Sequence, residues 1–130
     1  MASITLERPL AADADAAWAV LARTDRAQDA FPGVLTACEQ EGDSRTVTFA
    51  NGAVVKERIA DVDSVRRRIA YGVVEGRFTY HSASMQIVED GEGSRFIWTS
   101  DFLPAEAAAV VGPLMEQGAD AFARTVEAGK

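Results

Sequence analysis

The sequence predicts an α+β fold in which one amphipathic C-terminal helix covers one face of a curved antiparallel sheet. From Val34 to Phe102, apolar residues recur at alternate positions in one run after another, the period of a half-buried strand. The breaks between these runs are short, turn-like and regularly spaced, which reads as an antiparallel meander. After Pro104 the composition turns alanine-rich and helical in propensity.

Ile4 and Leu6 alternate with polar neighbours in a first strand, which Pro9 would end. A helix follows, capped by Asp13 or Asp15 and carrying Trp18, Leu21 and Ala22 at helical spacing. Asp25 is expected to cap a second, shorter helix that stops at Phe31-Pro32-Gly33, because the residue before a proline is pushed out of the helical region. Six strands come next. Their breaks are Glu41-Gly42-Asp43-Ser44, Ala50-Asn51-Gly52, Asp61 to Val65, Glu75-Gly76 and Glu89-Asp90-Gly91-Glu92-Gly93. Asn51-Gly52 predicts a tight type I′ hairpin, since both residues accept positive φ. In the alanine-rich run, Gly112-Pro113 predicts a short helix from Ala105 to Val111 and a longer one from Pro113 to about Ala128. Met115, Gly118 or Ala119, Phe122 and Val126 form the stripe that would lie across the sheet, with Trp98 beneath it.

Alternate positions give the sets Val55-Glu57-Ile59, Ile69-Tyr71-Val73, His81-Ala83-Met85-Ile87 and Phe96-Trp98-Ser100-Phe102. Each set shares one strand face, so Glu57, Tyr71, His81 and Ser100 are placed on the apolar side of the sheet. A polar group there is costly unless it is paired or reserved for a ligand. An apolar hollow with a few convergent polar groups is the usual small-molecule site, and its expected volume is at least about 300 Å³.

Bulk properties narrow the choices. A chain of 130 residues, 48% hydrophobic and 25% charged, has the size of one globular domain, here 1–130. The net charge of -7 opposes nucleic-acid phosphates, and the only basic cluster, Arg66-Arg67-Arg68, would alternate across the two faces of a strand start. No nucleic acid is therefore expected as a partner. No apolar stretch approaches the roughly 18 residues of a membrane span, and the opening MASITLERPL lacks the charge and apolar pattern of a secretion signal. A cytoplasmic protein without membrane insertion is expected. One Cys and one His make neither an intramolecular disulfide nor a usual zinc site, so the expected cofactor and metal are none. Oligomeric state stays open, a homodimer included.

Several segments together resemble a known family: Trp18 in AAWAVLARTD, FPGV at 31–34, NGAVVKERI at 51–59, RRIAYGVVEG at 67–76, GSRFIWTSDFLP at 93–104 and the terminal GADAFARTVE. The chain is similar to the bacterial polyketide cyclase/dehydrase-like proteins of the SRPBCC superfamily, which also holds the START lipid-transfer domains and the birch-pollen allergen. The resemblance implies a helix-grip fold, a seven-stranded antiparallel sheet wrapped around a long C-terminal helix and enclosing an apolar cavity. It implies no particular reaction, because fold alone does not carry function. It also implies that the glutamate of the ERI motif, Glu57, points inward. Many relatives have tyrosine where His81 stands; Tyr80 is adjacent, and a one-residue bulge would exchange the two.

Each candidate has a bland alternative. Glu57 sits between Lys56 and Arg58, as on a solvated face, yet Val55 and Ile59 share its side. Buried alone, its pKa would rise toward that of a general acid or base; Arg45, on a face with Val47 and Phe49, is a plausible ion-pair partner that would cancel the shift. His81 is the only side chain whose ordinary pKa lies near neutrality, but a lone histidine beside apolar residues is more often structural. Tyr71 either donates its hydroxyl to a ligand or bonds Glu57. Ser100 lacks the surroundings of a nucleophile and counts as cavity wall. Arg45, Phe49, Val55, Ile59, Met85, Phe96, Trp98, Ser100, Met115 and Phe122 complete the expected ligand-binding set, although the same residues would suit a filled core.

Three functional readings follow. The first is a carrier or receptor for a small, largely apolar, aromatic or polyketide-like molecule. In the second, the protein is a cofactor-free cyclase or dehydratase in which Glu57 or His81 transfers a proton and Tyr71 polarises an oxygen. The third is an interaction or assembly factor with a filled core.

Overall fold

A computed structural model describes residues 2–128. Its strands are β1 (Ala2–Leu10), β2 (Leu35–Glu41), β3 (Ser44–Phe49), β4 (Val54–Asp63), β5 (Arg68–Val73), β6 (Tyr80–Asp90) and β7 (Gly93–Leu103). The α-helices are α1 (Ala14–Leu21), α2 (Ala27–Ala30) and α3 (Ala108–Ala128). The sheet order is β1-β7-β6-β5-β4-β3-β2, with every neighbouring pair antiparallel. Only the step from β1 to β2 joins strands that are not adjacent, and α1 and α2 make that crossing. Register shifts in β2 at Leu35/Ala37 and in β4 at Ile59/Asp61 bend the sheet. This is the helix-grip fold, with the sheet curved around α3.

Local chemistry sets the element ends. Asp13 caps α1, accepting the Ala16 N–H at 2.8 Å. Pro9 sits inside β1, where an edge strand has one side free of ladder bonds and tolerates the missing N–H. On α3, Val111, Met115, Gly118, Phe122 and Val126 form the buried stripe. Gly118 is required there: a Cβ would lie 2.9 Å from the Trp98 ring beneath the helix.

Four local expectations are corrected. Helix α3 does not break at Gly112-Pro113 but runs through Pro113, preceded only by a 3-10 turn at Ala105–Ala107. Pro113 lies in the second turn, where its absent N–H frees only the Ala109 carbonyl, and Ala109 is exposed to water. Asp25 does not cap α2; both its carboxylate oxygens face Arg23 at 3.2 Å, and residues Thr24–Arg26 form a 3-10 turn. At Asn51-Gly52 only Gly52 takes positive φ (92°). The bonds Gly52 N–H to Phe49 O and Phe49 N–H to Ala53 O close a three-residue loop instead of a type I′ turn. Finally, β4 continues to Asp63, whose carboxylate accepts the N–H groups of Val65 and Arg66 at 3.0 Å. Arg66 and Arg67 therefore lie in a turn and only Arg68 in a strand; Arg67, at φ 54°, pairs with Asp15 on α1.

Candidate functional site

The strand register brings the polar residues together. Arg45 pairs across β3–β4 with Glu57, Glu57 across β4–β5 with Val73, and Tyr71 across β5–β6 with Ala83, which in turn pairs with Ser100 on β7. All four predicted inward sets face α3, and Glu57, Tyr71 and Ser100 are buried. His81 turns inward while Tyr80 is exposed, so no bulge exchanges them.

Between the outer half of α3 and the sheet lies a hollow of about 170 Å³. Of the expected residues, Phe49, Val55, Glu57, Tyr71, His81, Trp98, Ser100 and Met115 line it. A smaller space of about 70 Å³ lies deeper, reached by Arg45 and Met85 and sharing Phe49, Glu57, Tyr71 and Trp98 with the first. Ile59, Phe96 and Phe122 line neither and belong to the packed core. The expected volume of about 300 Å³ is not reached, because Trp98 and Phe31 fill the space under Gly118, their ring centroids 5.8 Å apart. Sequence reasoning missed Asn51 and Ala53 from the β3–β4 loop, Arg77 and Phe78 beyond the end of β5, and Val110, Val111 and Leu114 on α3, and it placed Val73 inward without counting it in the ligand-binding set.

Glu57 and Arg45 form a buried ion pair, Nε to Oε1 at 2.8 Å, and Arg45 Nη1 donates to the Thr24 carbonyl at 2.9 Å. The guanidinium also lies 5.5 Å from the Tyr71 ring centroid. Among the described residues nothing donates to Glu57 Oε2. Burial pushes the Glu57 carboxyl above its ordinary range, with the charge and hydrogen bond of Arg45 pulling the other way. Tyr71 is held protonated, its pKa raised by burial and then by the charge of Glu57. It does not bond Glu57; its oxygen accepts the Trp98 Nε1–H at 3.1 Å.

His81 bridges two strands. Its Nδ1 accepts the Val73 N–H at 3.0 Å and its Nε2 lies 3.2 Å from Ser100 Oγ. Gly72 makes this approach possible, since a Cβ there would sit 2.7 Å from the His81 carbonyl oxygen. Burial lowers the His81 pKa, opposed by Asp101, so the ring is neutral near pH 7. Among the described residues no cluster of three or more His, Cys, Asp or Glu side chains could hold a metal, and no helix is long and apolar enough to cross a membrane.

Comparison with known proteins adds the family context. The model of the family described as polyketide cyclase/dehydrase and lipid transport matches residues 1–127. Among curated proteins, none matches. Among solved structures, a protein from Bacillus thuringiensis aligns at 18% identity and TM-score 0.88, covering 96% of this chain and 98% of that one, which speaks to the fold alone. Norcoclaurine synthase from Thalictrum flavum aligns at 26% identity and TM-score 0.74, covering 96% and 92%. The same enzyme in complex with dopamine and hydroxybenzaldehyde aligns at 26% and 0.72, covering 99% and 88%.

Proposed function

This chain belongs to the polyketide cyclase/dehydrase and lipid transport family, and from that premise we propose that it binds one small, largely apolar molecule of about single-ring size in the outer hollow. Glu57, Tyr71, His81 and Ser100 orient the polar end of that molecule. The observation that carries this reading is the hollow itself, about 170 Å³ with mostly apolar walls into which Glu57, Tyr71, His81 and Ser100 are set. A dry cavity of about 150 Å³ takes a benzene-sized guest, so a single ring fits and a fused polyketide does not without movement of the walls. The Thalictrum enzyme, crystallised in complex with dopamine and hydroxybenzaldehyde, supports aromatic one-ring compounds as the class of guest, although it takes two where this hollow has room for one. In this reading residues 1–130 act as one ligand-binding domain in the cytoplasm, with no nucleic-acid partner.

A second reading has a specific observation behind it. Glu57 keeps one carboxylate oxygen free of Arg45, lines the hollow and is raised in pKa by burial, the profile of a general base. A cofactor-free enzyme would use Glu57 to take a proton from a carbon beside a carbonyl held by Tyr71. A hollow interior disfavours the third reading, an assembly factor with a filled core.

Thermal unfolding with a panel of one-ring and fused-ring compounds tests the primary reading. One-ring compounds at 100 times their Kd should add about 2.7 kcal/mol of stability. If no one-ring compound at millimolar concentration raises the melting temperature, the reading is wrong. The enzyme reading further requires catalysed exchange of the α-protons of phenylacetaldehyde in D2O, lost in Glu57→Gln; a protein that binds the aldehyde without exchange is a carrier.

A further inference from the structure

The hydrogen bonds around the hollow have a fixed direction. Val73 N–H is a backbone donor, so the His81 Nδ1 it meets at 3.0 Å must be an acceptor. In the neutral ring the proton then sits on Nε2, which donates to Ser100 Oγ at 3.2 Å. A second proton, on Nδ1, would face the Val73 N–H donor to donor, and burial also disfavours the charged ring. Ser100 thus spends a lone pair on His81, and its own proton has no acceptor among the described residues. Tyr71 repeats the arrangement. The Trp98 indole can only donate, so the bond at 3.1 Å makes Tyr71 Oη the acceptor and leaves the phenolic proton unplaced.

These two hydroxyls stand in one register row. Tyr71 pairs with Ala83 and Ala83 with Ser100, so a single methyl side chain separates them on the face toward α3, and both residues line the hollow. Two buried hydroxyls, each already accepting a bond from the protein, are donors without a partner, a state that costs free energy until an acceptor arrives. We propose that the ligand presents a carbonyl oxygen to the Ser100 and Tyr71 hydroxyls, with His81 acting as the positioning residue that aims the Ser100 proton. This rests on the reading of the hollow as a ligand site and goes beyond it by naming the functional group. His81, with both ring nitrogens engaged, moves no proton in this scheme.

The test compares benzaldehyde with toluene, which has the same ring and no oxygen. Titrations of the intact protein followed by NMR should show benzaldehyde binding about tenfold or more tightly than toluene, the yield of two modest hydrogen bonds. The carbonyl stretch of 13C-labelled benzaldehyde should move to lower wavenumber on binding. Ser100→Ala and Tyr71→Phe should each reduce that displacement and weaken benzaldehyde about fivefold, leaving toluene unchanged. One measurement needs no variant: the chain has a single histidine, so 15N-histidine labelling gives one pair of ring signals. They should report a neutral ring protonated on Nε2. A ring protonated on Nδ1, or toluene binding as tightly as benzaldehyde, overturns the inference while the hollow remains a binding site. If neither compound binds, the underlying functional reading fails and takes the inference with it.

Discussion

The two ends of the space under α3 share a helix and a sheet face, yet the inner one is filled to a remnant of about 70 Å³ and the outer one keeps about 170 Å³. At the inner end Phe96 and Phe122 are completely buried, their ring centroids 4.7 Å apart, and Phe31 lies 5.7 Å from Phe122. At the outer end α3 faces two loops, and Val110 remains 40% exposed at the mouth. The difference comes from the crossing between β1 and β2. The end of α2 and the start of β2 bring Phe31, Val34 and Leu35 beneath the inner half of the helix, whereas at the outer end the loop after β5 brings in Phe78, which lies against His81 and Phe102 at the side of the hollow. A helix laid over a curved sheet stays hollow only where the chain supplies no plug.

Phe122→Ala should mark the filled end with the largest effect, about 3–5 kcal/mol lost in denaturant unfolding. Val110→Ala, at the mouth, should stay within about 0.5 kcal/mol. Equal costs at the two positions would erase the distinction between the ends.

Glu57→Gln should cost less, about 1–3 kcal/mol, because the loss of the counter-ion of the buried Arg45 guanidinium is partly offset by no longer burying a carboxylate. Replacing both partners, Arg45→Met with Glu57→Leu, should recover most of that loss. A double-mutant cycle showing additive effects would mean that the pair is not coupled. Any loss of turnover in Glu57→Gln therefore has to be read together with its stability.

Gly118→Ala comes next, at about 1–3 kcal/mol, since the new methyl meets the Trp98 ring. Unfolding without measurable loss would show that Trp98 can retreat into the hollow.

The smallest effect concerns pH. Burial holds the folded-state pKa of His81 below its ordinary 6.5, so as pH falls the unfolded chain takes up the proton first. Stability should decline from about pH 6.5 downward until the folded-state pKa is passed, below which this contribution is constant. Glu57, raised instead of lowered, acts with the opposite sign. The difference between the stability–pH curves of the protein and His81→Gln isolates the histidine part. A flat difference would place His81 in water.

The faces were legible in the sequence because the pleat allows only two directions for a side chain. Once Val55, Tyr71, Met85 and Trp98 are taken as inward, Glu57, His81 and Ser100 follow without further information. Which inward residues line the hollow was not legible, because it depends on where Phe31 docks, a contact between distant segments. Phe96 and Phe122 read as cavity wall for that reason and are core. Val111 was missed for a local reason. It lies four residues before Met115 and continues its stripe, but the expected break at Gly112-Pro113 removed it. The tie between Arg45 and Glu57 was visible as a shared face; the direction of the bonds from Val73 and Trp98 required coordinates.

The most direct test of the account is where a one-ring guest sits. Intermolecular NOEs from the ring protons of bound benzaldehyde should reach the methyl groups of Val55, Val111 and Met115, which surround the outer hollow. None should reach Phe96 or Phe122. NOEs confined to those inner rings, or to the outer face of the sheet, would contradict the claim that the open end of the helix grip is the binding site.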